Sequence, residues 1–260
     1  MSGGFDTYSA TPTAPPRLPL LQKAIKEIDA DIIGLIDTYQ WDKIYTETDL
    51  KELFGYKHAY CINLNDERLK QLGHNNGITL LSDIEIKPTT IRLKTRDAIV
   101  AQVKDKGSSF NLVVAYLDDM SEDTRLEQID TLHSLITGPM VLMGDLNTLN
   151  DGELVNTKVL FKEFTEENPE IGTKLVPIVS DMLRGDVIKR LKSWGLEDAG
   201  QKQPLPTMPT SLFPASVDGP FLRIDYCIHS PTISVSNLST HYDDTFKQAS
   251  DHFPISFTIS

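Results

Sequence analysis

The sequence predicts an α+β domain in which two packed, mostly antiparallel sheets carry helices on their outer faces. Two observations lead there. Many short apolar runs punctuated by few helical patterns require sheet packed on sheet, and alternation within several runs fits antiparallel pairing. The 260 residues, 40% hydrophobic and 24% charged, show neither a repeat nor a flexible linker between halves, so one core of ordinary globular composition is expected.

The elements follow in order. Residues 1–16 are rich in Pro, Thr, Ser and Gly and are expected to form a loop, leaving residues 17–260 as the domain. RLPLLQKAIKEI sets Leu18, Leu21, Ala24, Ile25 and Ile28 near helical spacing. ADIIGLID has the continuous apolar character of a strand buried on both faces. Thr46 and Asp49 form a capping box for the short helix TETDLKELF. Strands are expected over KHAYCINL, GITLLS, IEIKPTTIRL, DAIVAQVK and FNLVVAYL. SEDTRLEQIDTLHSLI is the clearest helix, capped by Ser121, with an apolar stripe of Leu126, Ile129, Leu132, Leu135 and Ile136; the acidic run before it is expected to be solvated. The strand PMVLMGDLN comes next, then a polar stretch over 151–182 that mixes helix and loop, then the helix DVIKRLKSWG with Gly195 near its end. Residues 201–220 hold Pro204, Pro206, Pro209, Pro214 and Pro220 and read as loop, and the strands FLRIDYCIHS and HFPISFTI follow.

Composition narrows the function. A net charge of −12 disfavours a protein that grips long nucleic acid mainly through phosphates, and leans towards small or single-ended phosphate substrates. The N-terminal stretch has no basic start followed by an apolar run, no segment approaches the length of a membrane span, and a cytoplasmic monomer is the default expectation. Cys61 and Cys227 both sit in strand-like apolar runs and are expected as buried free thiols, with no zinc-type cluster nearby. No G-x-S-x-G elbow supports a serine hydrolase.

Three stretches set polar residues at the end of an apolar run: IIGLID ends in Asp37, VLMGDLN carries Asp145 and Asn147, and QASDHFPI carries Asp251 and His252. A strand end beside a loop is where a rigid sheet presents side chains to a pocket. Asp145 and Asn147 lie two apart, which on a strand turns them to one face. Hard carboxylate oxygens suit magnesium, which keeps several waters and needs only one or two such ligands. Alone, a Gly-Asp-x-Asn stretch is as readily a turn.

Taken together, GDLN, SDHFPI and RIDYCIHS resemble, in the same order, the GD-x-N, SDH-x-P and R-I-D-Y segments of the endonuclease/exonuclease/phosphatase superfamily. ADIIGLID, NGITLLS and YLDDMSEDTRLEQ resemble three further segments, so the likeness spans most of residues 17–257. The resemblance implies a four-layer α/β sandwich and a magnesium- or manganese-dependent phosphoesterase. It implies Asp145 as general base, Asn147 as holder of a phosphate oxygen or the attacking water, His252 as stabiliser of the phosphoryl charge, and Asp225 as its partner. Asp37 and Asp251 would bind metal, and Tyr116 and Asn76 would contact substrate, although an aromatic core role and a solvated loop role are the commoner ones for those two. His74 in the same GHNNG loop is expected to be solvated; His133, Arg125 and Gln128 are expected to be structural. The substrate stays open among nucleic acid, nucleotide, phosphoinositide and phospholipid head group. Three departures stand out: Asp37 where the family usually has Glu, Tyr116 where it usually has His, and no Asn before Asp29, as though the family's first strand were missing. They favour, as the alternative, an impaired member that keeps the fold to bind a ligand.

Overall fold

The computed structural model describes residues 2–6, 15–71, 73–105, 107–150, 169–212 and 222–260. Its strands are β1 (Ile32–Ile36), β2 (His58–Asn63), β3 (Gly77–Ser82), β4 (Ile86–Arg92), β5 (Asp97–Asp105), β6 (Ser108–Tyr116), β7 (Met140–Asp145), β8 (Glu197–Asp198), β9 (Asp225–His229), β10 (Val235–Thr240) and β11 (Ile255–Ile259). Its helices are α1 (Leu18–Ile28), α2 (Trp41–Ile44), α3 (Glu47–Phe54), α4 (Glu67–Gln71), α5 (Glu122–Leu135), α6 (Pro169–Met182), α7 (Asp186–Ser193) and α8 (Asp244–Ala249).

One layer is a six-stranded sheet in the order β4-β5-β6-β7-β9-β8, antiparallel except for the parallel β6–β7 pair. The facing layer is split into a three-stranded sheet, β1-β3-β2, and a two-stranded ribbon, β10-β11. Strand alternation sorts the core. Val113, Ala115, Leu142 and Ile228 face outward onto Ile129 and Leu132 of α5 and Val187, Ile188 and Leu191 of α7. Their neighbours Leu112, Val114, Val141 and Cys227 face inward and meet Ile62, Ile78 and Leu80 of the smaller sheet. Ile33, Leu35, Ala59 and Leu81 turn to the opposite outer face, under Leu21, Ala24 and Ile25 of α1 and Phe246 of α8. The four-layer sandwich is therefore present, with helices on both outside faces.

Thr46 caps α3 by accepting from Asp49 N–H at 3.1 Å while Asp49 accepts from Thr46 N–H at 2.8 Å. Ser121 caps α5 through Thr124 N–H. Gly195 follows α7 with φ +79°, as its position predicts. The 151–168 part of the polar stretch and the 213–221 part of the proline-rich loop lie outside the described residues.

Several expectations need correction. ADIIGLID is not buried on both faces: Ile33 and Leu35 are buried, Ile32, Gly34 and Ile36 are half-buried, and the strand lines a cavity. The α5 stripe is narrower than its periodicity implies, since Leu135 is 59% exposed and the inward face carries Glu122, Arg125 and Gln128, all fully buried. The acidic run is not solvated throughout: Asp118 and Glu122 are buried because they accept bonds from Met120 and Ser121 N–H and from Arg125, respectively. Arg125 and Gln128 act structurally, donating to Asp118 O and accepting from Asp118 N–H. His133 is exposed and stacks on Trp194 at 4.0 Å. Both cysteines are free, Cys227 buried and Cys61 half-buried at the end of a Thr79 Oγ1 contact. Missing from the sequence reading were α2, α4, α8, β8 and β10, which are short or polar.

Candidate active site

The strand ends predicted to converge do so. Asp145 is the last residue of β7; in register it sits opposite Asp225, the first of β9, and beside Tyr116, the last of β6. Asp37 follows β1 at φ +60°, and Asp251 and His252 lie in the loop between α8 and β11. Asp37, Tyr116, Asp145, Asp225, Asp251 and His252 all line one cavity. Gly144 makes the β6–β7 approach possible: at φ +135°, a Cβ there would lie 2.1 Å from Ala115 O.

His252 Nδ1 lies 2.8 Å from Asp225 Oδ2, and the side chains are 20% and 15% exposed. Burial works against charge on the imidazole, but the charge and hydrogen bond of Asp225, with Asp145 and Asp251 behind, raise it to about 10. Burial, then the Asp225 carboxylate, push Asp145 up to about 7, against the pull of His252, Asn147 N–H and Arg96. Burial also lifts the Tyr116 phenol well above its ordinary value, so it stays a neutral hydroxyl.

Asn147 departs from the strand reading. β7 ends at Asp145 and Asn147 has φ +50°, so alternation no longer sets its direction. Its N–H donates to Asp145 Oδ1 at 2.9 Å and its side-chain amide to Leu117 O at 3.0 Å. It fixes Asp145 and does not line the cavity. Asn76 is buried just before β3 and also lies off the cavity wall; its Oδ1 has no hydrogen-bond partner. His74 is half-buried, rather than solvated, and away from the cavity.

Supporting residues were not visible as site residues in the sequence. The Thr207 hydroxyl is 3.3 Å from the N–H groups of both Ile224 and Asp225, and Thr207 O accepts from Phe253 N–H at 2.6 Å. Thr210 N–H donates to Asp251 O, and its hydroxyl donates to Ser250 O at 2.6 Å. This proline-flanked loop thus ties the strand of Asp225 to the loop of His252. Arg96 stacks on the Tyr116 ring at 4.0 Å and donates to Leu117 O at 2.7 Å. It sits in the polar turn before β5, where nothing marks it from an ordinary surface arginine.

The donor set around the cavity includes carboxylate and phenol oxygens, the kind that a hard cation accepts, and the partnerless Asn76 Oδ1 is a buried amide oxygen off the cavity wall, on the residue before the strand that pairs with β1. Among the described residues no group of three or more His, Cys, Asp or Glu side chains is placed to hold a metal ion.

The sequence profile described as the Endonuclease/Exonuclease/phosphatase family matches residues 5–252. The chain belongs to that family. This membership supports phosphoesterase chemistry in general. No curated protein matches the sequence. Among solved structures, an AP endonuclease from Archaeoglobus fulgidus is similar with TM-score 0.65 at 16% identity, covering 93% of each chain. A 3′ phosphatase from Neisseria, bound to product DNA hairpin, also gives TM-score 0.65 at 16% identity, covering 94% of each chain. The human Nocturnin catalytic domain gives 0.56 at 17% identity, covering 93% of this chain and 86% of that one. At these identities the likeness speaks for the fold, and the two-sheet α/β sandwich of this family member is shared with them. No helix among the described residues is long and apolar enough to cross a membrane.

Proposed function

We propose that this family member is a divalent-metal-dependent phosphoesterase in which water attacks phosphorus beside Asp145 and His252. The observation that carries the reading is the His252–Asp225 pair at 2.8 Å next to a buried Asp145 carboxyl raised to about 7. A carboxyl near neutrality is matched to taking a proton from water, and a charged imidazole is matched to the negative charge growing on phosphoryl oxygens. Asp225 holds the ring and its charge; Asn147 holds Asp145. Tyr116, a neutral phenol propped by Arg96, donates to a phosphate oxygen. Asp37 and Asp251 would hold magnesium or manganese, which when bound supplies Lewis-acid stabilisation of the phosphate. The substrate class is a phosphate ester; the charge of −12 favours a small or single-ended one, and the Neisseria and Archaeoglobus neighbours suggest the ends or abasic sites of DNA as candidates within it.

The test is hydrolysis of phosphomonoester and phosphodiester substrates, DNA ends and abasic DNA included, with magnesium, with manganese and with excess chelator. Turnover that needs metal and disappears in Asp145→Ala and His252→Ala supports the reading. Undiminished turnover in chelator or in either variant overturns it. The ligand-binding alternative rests on Asp37, a methylene shorter than the usual Glu; tight phosphate-ester binding without turnover under any metal would support it.

A further inference from the structure

The strand ends that carry Asp37 and Tyr116 are bridged by α4. Asn63, the last residue of β2, pairs with Gly77, next to the Ile78 that pairs with Ile36. α4 therefore leaves the small sheet at the end where Asp37 sits. Arg96 precedes β5, which runs antiparallel to β6, so it lies at the end of the large sheet where Tyr116 sits. Two carboxylates join these ends. Asp66 Oδ1 accepts from Arg68 N–H at 2.9 Å and from Leu69 N–H at 3.2 Å, which starts α4, while Asp66 Oδ2 lies 3.5 Å from Arg96 Nε. Asp119 Oδ1 accepts from Arg96 Nη2 at 2.5 Å and also from Arg68 Nη2.

The two arginines differ in what else they do. Arg96 is 1% exposed and is fixed by Leu117 O and the Tyr116 ring. Arg68 is 42% exposed, with Asp66 only a loose second partner at 3.9 Å, and its side-chain Nε and Nη1 make no hydrogen bond among the described residues. An ion pair this exposed contributes little to the fold. Asp119 keeps Arg96 if Arg68 leaves, so no carboxylate is stranded. Two donors that meet on one oxygen lie within about 6 Å of each other. Arg68 thus stands a sugar's breadth beyond the guanidinium on which Tyr116 rests.

We propose that Arg68 is a specificity residue that takes a second phosphate of the substrate, carried a sugar's breadth from the phosphate that Tyr116 contacts. The inference rests on the phosphoesterase reading and narrows its substrate class to esters with two phosphates on one small scaffold, a nucleoside or an inositol. A guanidinium fork offers phosphate paired N–H donors, which an ammonium does not. A small ester of this kind also suits a chain of net charge −12 better than a long polyanion does. Asp119 is the competitor: in the free protein it occupies Arg68, and its charge repels an arriving phosphate.

Calorimetric titration of the full chain in magnesium at low salt is the test. Thymidine 5′-monophosphate is compared with thymidine 3′,5′-bisphosphate, and inositol 1-phosphate with inositol 1,4-bisphosphate; the pair that responds names the scaffold. In that pair the second phosphate should tighten binding to the parent by about tenfold. Arg68→Ala should erase the gain and leave the monophosphate affinity unchanged, and Arg68→Lys, which keeps the charge without the fork, should retain part of it. Asp119→Asn should enlarge the gain, because the amide still accepts from Arg96 but neither holds Arg68 as firmly nor repels phosphate. Arg68→Ala and Asp119→Asn weaken the same ion pair, so a purely structural pair would shift both variants in one direction, whereas a phosphate contact shifts them in opposite directions. A parent that gains nothing from the second phosphate in either pair, or binds none of the four compounds, overturns the proposal, and so does a shift of one sign in both variants. Those results leave the phosphoesterase reading standing; it falls only if no phosphate ester is hydrolysed under any metal.

Discussion

The carboxylate of Glu122 accepts from Thr148 Oγ1 at 2.9 Å, anchoring the residue that follows Asn147 from a fully buried position on α5. The same carboxylate accepts from Val187 N–H at 2.8 Å and from Arg125 Nε at 2.7 Å. Glu122 therefore ties the GDLN loop to two helices. Removing it leaves the buried Arg125 guanidinium with Asp181, at 3.2 Å, as its remaining carboxylate partner among the described residues, and the loss is up to about 3–5 kcal/mol. Glu122→Ala is expected to lower stability by that order in denaturant unfolding, and Glu122→Gln by less, because the amide oxygen still accepts. An unchanged midpoint in Glu122→Ala would contradict the buried network.

The His252–Asp225 pair predicts a spectroscopic signature separable from activity. In metal-free buffer the His252 ring should titrate near 10, where its neighbours hold it. Asp225→Asn removes the leading support and should bring the ring down by more than one pH unit, towards the ordinary value of roughly 6.5. Turnover should fall less in Asp225→Asn than in His252→Ala, since the amide still orients the ring. NMR of the ring across pH checks the first statement, and a ring that titrates near its ordinary value in the parent refutes the pairing.

Asp145 gives a pH effect of stated sign. Its folded value of about 7 lies above the ordinary 3.8, so the protonated form is favoured by folding. Stability from this group is fully present below 3.8 and is lost as pH rises through about 7. At about 1.4 kcal/mol per pH unit, the loss is at most roughly 4 kcal/mol. His252, also raised, holds its contribution below about 6.5 and loses it as pH rises through about 10. Thermal unfolding in chelator should show Asp145→Asn gaining on the parent between pH 4 and pH 7, roughly the window set by these two values. A constant difference across that window sinks the assignment.

The fold was legible where local chemistry and packing agree. The apolar run in GITLLS and the Thr46–Asp49 box each encode their element within a few residues, and both formed as expected. The short strand VSNLST was not legible, because four of its six residues are polar and its pairing with β11 is non-local. At the site, Asp37, Asp145 and His252 were visible at the ends of apolar runs, and Asp225 through the likeness of RIDYCIHS to a family segment. Thr207 and Arg96 were not, because their importance comes from a partner distant in sequence: Phe253 and Asp225 for Thr207, Tyr116 for Arg96. The half-buried face of Ile32, Gly34 and Ile36 escaped for the same reason, since an apolar run looks alike whether or not a neighbour covers it.

Asp37 carries the last prediction. It lies 4% exposed at the end of β1, on the cavity shared with Asp145 and Asp251. A cation bound there would stabilise the folded chain by an amount that grows with its concentration, and the unfolded chain hardly at all. Magnesium is therefore expected to raise the melting temperature of the parent in a saturable way, with EDTA reversing it. Asp37→Ala should move the midpoint of that rise to about tenfold or more higher magnesium, a loss of about 1.4 kcal/mol or more in binding. Asp37→Glu should shift it less, because the carboxylate remains. The melting curve needs no substrate, so it separates metal binding from turnover. If calcium, magnesium and manganese all leave the parent's melting temperature unmoved, or if Asp37→Ala responds as the parent does, Asp37 is not a ligand and the cation must be held elsewhere.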